Sequence, residues 1–570
     1  MPDDRFTRVL AIFSRPLGSF TSGQWLLLIA APLLLFTFNL DGARSLTVHE
    51  MYMAGAAKQM TLDDDWILLR LGDQFFLEKP PLTHWAAAAS ASLLGGFTAG
   101  TVRLPLALAG VGVVLLVAWM MAHLFGRRIG LLAGLVQASA VYMVTHARLA
   151  QADMLLLLIV MAAIAAFLKL DSLDEDASAR TRFFWRLLFW GLIGLTNLCK
   201  GLLFGAVLVL LTCIGGIVIR RDIGALKKLF SPSGLLLAVV VALWWPVVVV
   251  LREPAVLELW NSHLFGRAAG TLGYQRPLWY YLTTWPVQLL PWTPLLFFGV
   301  GASLRRAWSE PKSPDRFVWW WALAQMFLLT LSSGKHHHYL IYALPAMSPI
   351  IGMGLLRIGE RIAGEVQQAR RSSWFWFSGA AVLVIGGAAA AVLVEAFRID
   401  ILCVASLLAL GGLGIGIFVR RRRPAFALAV GYAVMVAAQL YVQGSIMPRR
   451  DRSRADGQFL AKVQRDLAPT QRLFASGGPE IARHIFYLSR PVEGVWKPED
   501  IQGRLADDEV FYVITRMKNR EKLLRYGQVT QVHQSTHTRS EASPEDRYTL
   551  YRVDRTVKSA ASNIDRPQPR

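Results

Sequence analysis

Apolar runs of about 18 residues or more recur along this chain from Leu26 to about Met447, and that is the length an α-helix needs to cross the hydrocarbon of a bilayer. A soluble core has no use for such runs one after another. Only helices and closed barrels satisfy their backbone polar groups in lipid, and these runs have helical length. The greater part of the chain is therefore expected to be an all-α polytopic membrane domain. The composition agrees, with 54% of the 570 residues hydrophobic and 17% charged. After Met447 the composition turns polar, as in an ordinary soluble domain.

Thirteen spans are predicted, at 25–41, 103–124, 128–146, 152–170, 184–199, 201–219, 230–251, 285–304, 317–333, 339–356, 374–396, 401–419 and 424–446. The segment Leu82–Leu94 is apolar but short. At about 1.5 Å per residue it falls short of a core about 30 Å thick, so it is expected to lie at the membrane surface. Charge tests this choice. With the N-terminus inside, the inner loops carry Arg127/Arg128, Arg180/Arg182, Arg220/Arg221/Lys227/Lys228, Arg305/Arg306, Arg357/Arg361/Arg370/Arg371 and Arg420–Arg423, against only Arg148, Lys335 and Arg398 in the opposite short loops. That is the positive-inside pattern, and one more span at 82–94 would invert it. The net charge of +21 sits in these clusters, which argues against nucleic acid as a partner. No cleavable signal peptide is evident, because the first apolar run is long and lacks a small-residue cleavage site. Cys199, Cys213 and Cys403 lie in apolar segments and the tail has no cysteine, so no disulfide framework is expected there.

The predicted organisation is a transmembrane domain over 1–446, with long outer loops at 41–102 and 252–284, and an outer-face domain over 447–570. In the tail, strand-like runs at Arg472–Ala475, Glu509–Thr515 and Tyr548–Val553 alternate with helical stretches at Gly478–Leu488 and Asn519–Tyr526, which suggests a small α/β domain. No internal repeat or low-complexity segment is found.

Candidate chemistry lies at the outer ends of the spans. In the first loop, Val48, Met51, Tyr52 and Gly55 recur at helical spacing, so 48–60 reads as an amphipathic interfacial helix. His49 and Glu50 open it, and Glu50 is either a functional carboxylate or an acidic residue favoured by the helix dipole. Glu78 and Lys79 precede Pro80-Pro81. The prolines hold this segment extended and start the next helix, which makes the two a surface ion pair or a functional pair. Asp153 opens a span, Lys200 lies between two apolar runs, and His263 lies in the second long loop. Ionisable groups at membrane depth are functional candidates by default, with snorkelling as the structural alternative for Lys200. Lys335-His336-His337-His338-Tyr339 forms a basic knot. Adjacent histidines point in different directions, so one or two of them are expected to make phosphate or structural contacts rather than all three to hold a metal. All these groups share one predicted face. That suits an anionic lipid-phosphate substrate paired with Lys or Arg, and it suits a channel or transporter, with polar groups near the midplane, poorly.

The motifs Leu77-Glu78-Lys79-Pro80-Pro81-Leu82, Ala147-Arg148-Leu149 with Asp153, Lys200-Gly201, the loop around His263 ending in Arg276-Pro277-Leu278-Trp279-Tyr280-Tyr281, and Lys335 to Tyr339 with Pro345 occur in this order. The chain thereby resembles the GT-C membrane glycosyltransferases that use polyprenyl-phosphate sugars, most closely the bacterial aminoarabinose (lipid A) transferase and protein O-mannosyltransferase superfamily. The resemblance covers nearly the whole chain. It implies a GT-C fold in a bacterial inner membrane, a polyprenyl-phosphate-linked sugar donor and a lipid or glycolipid acceptor, with a protein O-mannosyltransferase-like enzyme or a non-catalytic or transport protein as alternatives. It implies catalytic roles for His49, Glu50, Glu78, Lys79 and Asp153, donor-phosphate contacts from Lys200, Arg148, Lys335 and Tyr342, and a divalent metal at His263 and Glu78. One departure stands out. The family's first loop usually carries an Asp-Glu pair, and here the pair is His49-Glu50. Three readings of it stay open: His49 is itself the base, Glu50 or Asp153 takes over, or an already ionised phosphate acceptor needs no base.

Overall fold

A computed structural model describes residues 20–174, 176–201, 203–261, 276–331, 334–394, 397–451, 454–505, 510–536 and 544–555. His263 lies outside the described residues. The chain divides into two compact units. One takes the residues up to Ala43, then Glu78–Thr83 and Arg103–Pro448; the other takes Arg44–Leu77, His84–Val102 and the residues from Arg449 on.

The first unit is helical. Six helices among the described residues are long and apolar enough to cross a membrane: Ala99–Phe125, Ala152–Asp171, Pro232–Arg252, Val366–Leu393, Arg398–Arg420 and the Pro424–Arg450 stretch. Two bent pairs, Arg127–Ser139 with Val141–Ala147 (62°) and Tyr280–Gln288 with Thr293–Ser309 (112°), bring the number to eight if each pair is one span. Ser22–Thr37 and Phe204–Ile219 are apolar but shorter. The chain is a multi-pass helical membrane protein. Proline in the first turn starts several of these helices, among them Pro232, Pro294 and Pro424, where its missing N–H costs nothing.

Packing is uneven across this unit. The apolar window of Ala152–Asp171 is 78% buried, whereas that of Pro424–Arg450 is 11% buried. The first helix is at the centre of the core, and the second shows most of its surface to what surrounds the protein. Ala152–Asp171 and Ala179–Lys200 pack against each other, joined by the loop 172–178. A hairpin of this kind brings the start of one helix beside the end of the other.

The second unit holds a five-stranded mixed sheet. Its strands are β3 (Leu473–Ser476), β4 (Glu493–Val495), β5 (Val510–Arg516), β6 (Gly527–Gln534) and β7 (Tyr548–Arg555), after the small antiparallel hairpin β1 (Arg70–Leu71) and β2 (Gln74–Phe75). The strand order is β4-β3-β5-β7-β6, parallel across β4-β3-β5 and antiparallel across β5-β7-β6. Alternating residues feed two cores: Phe474, Phe511, Val513 and Val553 on one face, Leu473, Ile514 and Leu550 with Leu460 and Val463 on the other. This is the period-2 rule of a sheet covered on both sides.

The first loop folds with the C-terminal residues. The helix expected over 48–60 is Val48–Leu62. Its small face packs on Ile481–Tyr487, so closely that a Cβ on Gly55 would stand 2.8 Å from the Ala482 carbonyl. The hairpin packs likewise, since a Cβ on Gly494 would meet Gly72 Cα at 2.6 Å. Lys58 donates to the Phe486 and Leu488 carbonyls at 2.9 and 2.7 Å. The apolar face that periodicity assigns to a membrane surface is therefore met by protein. Glu78 and Lys79 sit in a bend, not on a strand, because extended pairing ends at Phe75.

Candidate active site

The helix Ala152–Asp171 carries Asp153 in its first turn, and Ala179–Lys200 ends on Lys200. A carboxylate is favoured at a helix N-terminus and a cation at a C-terminus, so the hairpin brings together two groups that each suit their own helix end. Lys200 Nζ donates to Asp153 Oδ1, and Tyr342 Oη donates to the same oxygen at 3.0 Å. The other oxygen, Oδ2, accepts no hydrogen bond among the described residues. Both charged side chains are nearly buried, 11% and 8% exposed for Lys200 and Asp153. The ammonium also lies over the rings of Tyr339, Phe204 and Tyr342, at 4.4, 5.2 and 5.8 Å from their centroids, where the ring faces attract it.

The backbone just after Lys200 is shaped for this. Gly201 has φ +97° and Leu203 φ +67°, so the chain breaks sharply between the two helices. Gly201 reaches that conformation without a Cβ clash. Asn197 Oδ1 accepts from the Leu203 amide at 2.5 Å and holds the turn. Beside it Cys199 Sγ donates to the Ala152 carbonyl at 3.4 Å and lies 3.8 Å from Thr83 Oγ1. Thr83 closes the short Glu78–Thr83 stretch, so the segment that begins with Glu78 (exposed) and Lys79 (half-buried) is anchored next to Lys200.

The basic knot adds a ring cluster. His337–Tyr342 is a 3-10 helix. Its turn is held by Tyr281, which donates to the His336 carbonyl at 3.2 Å, and by Gln288, which donates to the His337 carbonyl at 2.8 Å. The three histidines point apart. His337 Nδ1 meets Tyr142 Oη at 2.5 Å, while His338 packs edge-on to Tyr339 with centroids 4.6 Å apart. Burial pushes the His338 imidazole down to about 3 against the pull of Asp153, and it also lowers His337. Both are neutral near pH 7.

Two cations expected at the donor phosphate are engaged elsewhere. Arg148 is 9% exposed. It donates to the Leu35, Phe36 and Asn39 carbonyls at 3.2, 3.1 and 3.4 Å, which satisfies carbonyls at the end of the Ser22–Thr37 helix that have no partner within it. Lys335, 4% exposed, donates to the Arg276 carbonyl at 3.2 Å.

In the other unit, Glu50 is fully buried and forms a capping box. Its Oε2 accepts from the Thr47 amide at 2.8 Å and Thr47 Oγ1 accepts from the Glu50 amide at 3.5 Å. That is the helix-start role of an acidic residue at this position. His49 is exposed, its ring 6.3 Å from that of Tyr52. Asp153, Lys200 and Tyr342 thus come together in the structure. Phe204, Tyr339, Tyr142, His146 and His338 join them from sequence contexts that gave no separate motif.

No set of three His, Cys, Asp or Glu among the described residues is placed to hold a metal ion. Glu78 therefore has no described partners for the divalent metal the resemblance implies.

Known proteins bear on this arrangement. The sequence profile of the dolichyl-phosphate-mannose-protein mannosyltransferase family matches residues 78–249, the stretch that contains Asp153 and Lys200. An undecaprenyl phosphate-alpha-4-amino-4-deoxy-L-arabinose arabinosyl transferase of Aeromonas salmonicida is 28% identical over 323 residues, 56% of this chain and 57% of that one. The enzyme of the same name from Pectobacterium carotovorum is 27% identical over 364 residues, 62% and 63% of the two chains. The chain thus spans somewhat under two thirds of these relatives' length. The crystal structure of ArnT from Cupriavidus metallidurans bound to undecaprenyl phosphate superposes with a TM-score of 0.74 at 18% identity, covering 93% of this chain and 98% of that one. Its apo form superposes with a TM-score of 0.73. By sequence similarity and by fold, the chain is a GT-C, aminoarabinose-transferase-like protein, as its motifs imply.

Proposed function

We propose that the chain transfers a sugar from a polyprenyl-phosphate donor to a lipid or glycolipid acceptor at the outer face of a bacterial inner membrane. One observation carries this reading above the others. A buried Asp153–Lys200–Tyr342 cluster stands at the head of the most enclosed candidate span, in a fold that superposes on ArnT along nearly its whole length. Charges at membrane depth are costly and are kept where they act. The reaction is an inverting displacement at the anomeric carbon with polyprenyl phosphate as leaving group. Charge gathers on that phosphate, which is where fixed cations and donors help most. Lys79, Lys200 and Tyr342 supply them. Lys335 and Arg148 hold the backbone that shapes the site, and no step is routed through a metal. The test is direct: protein purified in detergent and given undecaprenyl-phosphate-linked aminoarabinose releases undecaprenyl phosphate and labels a lipid acceptor, and no release overturns the reading. A protein acceptor labelled with mannose would favour the mannosyltransferase alternative that the family match raises.

This reading includes thirteen spans, with the N-terminus inside and the 447–570 domain outside. A reporter joined after Arg570 is expected to be active only on the non-cytoplasmic side, and one joined near Arg422 only in the cytoplasm. The same side for both would contradict the count.

His49 is not needed as a base here. It is exposed, and Glu50 is committed to its helix cap. His49→Ala is expected to keep kcat/KM within about threefold of the parent, where loss of a true general base costs about 10²–10⁴-fold. A loss on that larger scale, recovered by His49→Asp, would show that the family carboxylate's role passed to His49.

A further inference from the structure

We propose that His338 is the general base of the transfer and that the acceptor presents a neutral hydroxyl, not a phosphate, to the anomeric carbon. The inference rests on the glycosyl-transfer reading above and deepens it.

A general base needs a fixed ring and a free nitrogen. Four histidines gather beside Asp153 and Lys200, and they are not equivalent. His337 spends Nδ1 on Tyr142, and His146 and His336 have partners of their own. His338 makes no hydrogen bond through its side chain among the described residues, yet its ring is held by neighbours: Tyr339 at 4.6 Å, His336 at 5.2 Å, His337 at 5.7 Å and His146 at 6.2 Å between centroids. It is half-buried, so a substrate can reach it.

The ring also borders the charged pair. Tyr339 touches both, since its ring lies 4.6 Å from that of His338 and 4.4 Å from Lys200 Nζ. The charged and titratable groups facing His338 are Asp153, Lys200, His146 and His336. Of these only Asp153 favours a proton on the ring. Asp153 is thus a positioning residue that stabilises the imidazolium as it forms, while burial keeps the resting ring neutral, the form that accepts a proton.

The same geometry argues against a phosphate acceptor at this spot. Lys200 is the one cation listed by proximity to His338, and it is already paired with Asp153. Neutral imidazoles and a balanced ion pair suit an uncharged hydroxyl, which needs a base, better than a dianion, which needs none. In the step, the hydroxyl proton passes to a ring nitrogen of His338. The acceptor oxygen bonds to the anomeric carbon, and the bond from that carbon to the donor phosphate breaks, its electron pair leaving on polyprenyl phosphate.

The test uses the full chain in detergent, undecaprenyl-phosphate-linked aminoarabinose as donor, and lipid A or lipid A stripped of its phosphates as acceptor. Both acceptors are expected to be labelled. His338→Ala is expected to lose about 10²–10⁴-fold in kcat with donor KM within about threefold, a split that marks loss of a transition-state role. Added imidazole should restore turnover to His338→Ala with the pH dependence of imidazole itself, which a packing defect would not allow. Should His338→Ala fail to fold, His338→Gln keeps the ring's volume and is expected to show the same loss. Labelling confined to the phosphate-bearing lipid, or a His338→Gln enzyme within about threefold of the parent, overturns the proposal. No release of undecaprenyl phosphate by the parent with either lipid overturns the transferase reading itself, and the base with it.

Discussion

Lys200→Ala is expected to damage the protein twice. It leaves the Asp153 carboxylate nearly buried with Tyr342 as its remaining partner, and breaking a buried pair from one side typically costs about 3–5 kcal/mol. It also removes a cation from the place where the leaving phosphate gathers charge, a loss of about 10²–10³-fold in rate. The two effects separate in a double variant. Asp153→Leu with Lys200→Met removes both charges and leaves apolar side chains of similar size. Replacing a buried pair in this way is often neutral or stabilising, so thermal stability in detergent should return towards the parent while transfer stays lost. If the double variant recovers activity along with stability, the pair is a packing feature and the site lies elsewhere.

Acid is expected to loosen the C-terminal sheet through His484. This imidazole is 1% exposed, and neither ring nitrogen has a hydrogen-bond partner. It packs edge-on to Tyr548, with centroids 5.1 Å apart. Burial pushes it down to about 3, and the neighbouring Arg483 lowers it further. The unfolded chain holds the same proton with a pKa of about 6.5. Between those values the unfolded state binds a proton that the folded state refuses. Stability is therefore complete above about pH 6.5 and falls as pH drops towards 3, by on the order of 1 kcal/mol per pH unit. Limited proteolysis of the full chain at pH 5 and pH 7.5 measures this. Cleavage after residue 449 should rise at pH 5 in the parent and rise less in His484→Phe. Equal sensitivity in the two proteins would assign the acid effect to other groups, such as the buried Asp456–Arg483 pair.

The sequence carried the local decisions. Run lengths marked the helices that cross the membrane, because lipid leaves the backbone no other partner than itself. Thr47 and Glu50 stand three residues apart before an apolar helix, and that spacing alone writes the capping box seen at Val48–Leu62. Asp153 and Lys200 stood out because charge at membrane depth is expensive. Three of the five strands in the C-terminal sheet were legible as β-branched and aromatic runs. Strand β4, three residues long, and β6, largely polar, were not, since each is held by its neighbours rather than by its own composition.

Tertiary structure decided which of these groups meet. Lys200 reaches Asp153 across 47 residues, and Tyr342 reaches it across 189. No periodicity records such pairings, because they depend on how helices pack and not on how each one forms. The same packing assigned Arg148 to carbonyls of the first helix and left one histidine of three adjacent ones with an uncommitted ring. Adjacent residues share a sequence context but diverge by about 100° along a helix. It also seated the first-loop helix on Ile481–Tyr487, because an apolar face specifies that it must be covered and says nothing of whether lipid or protein covers it.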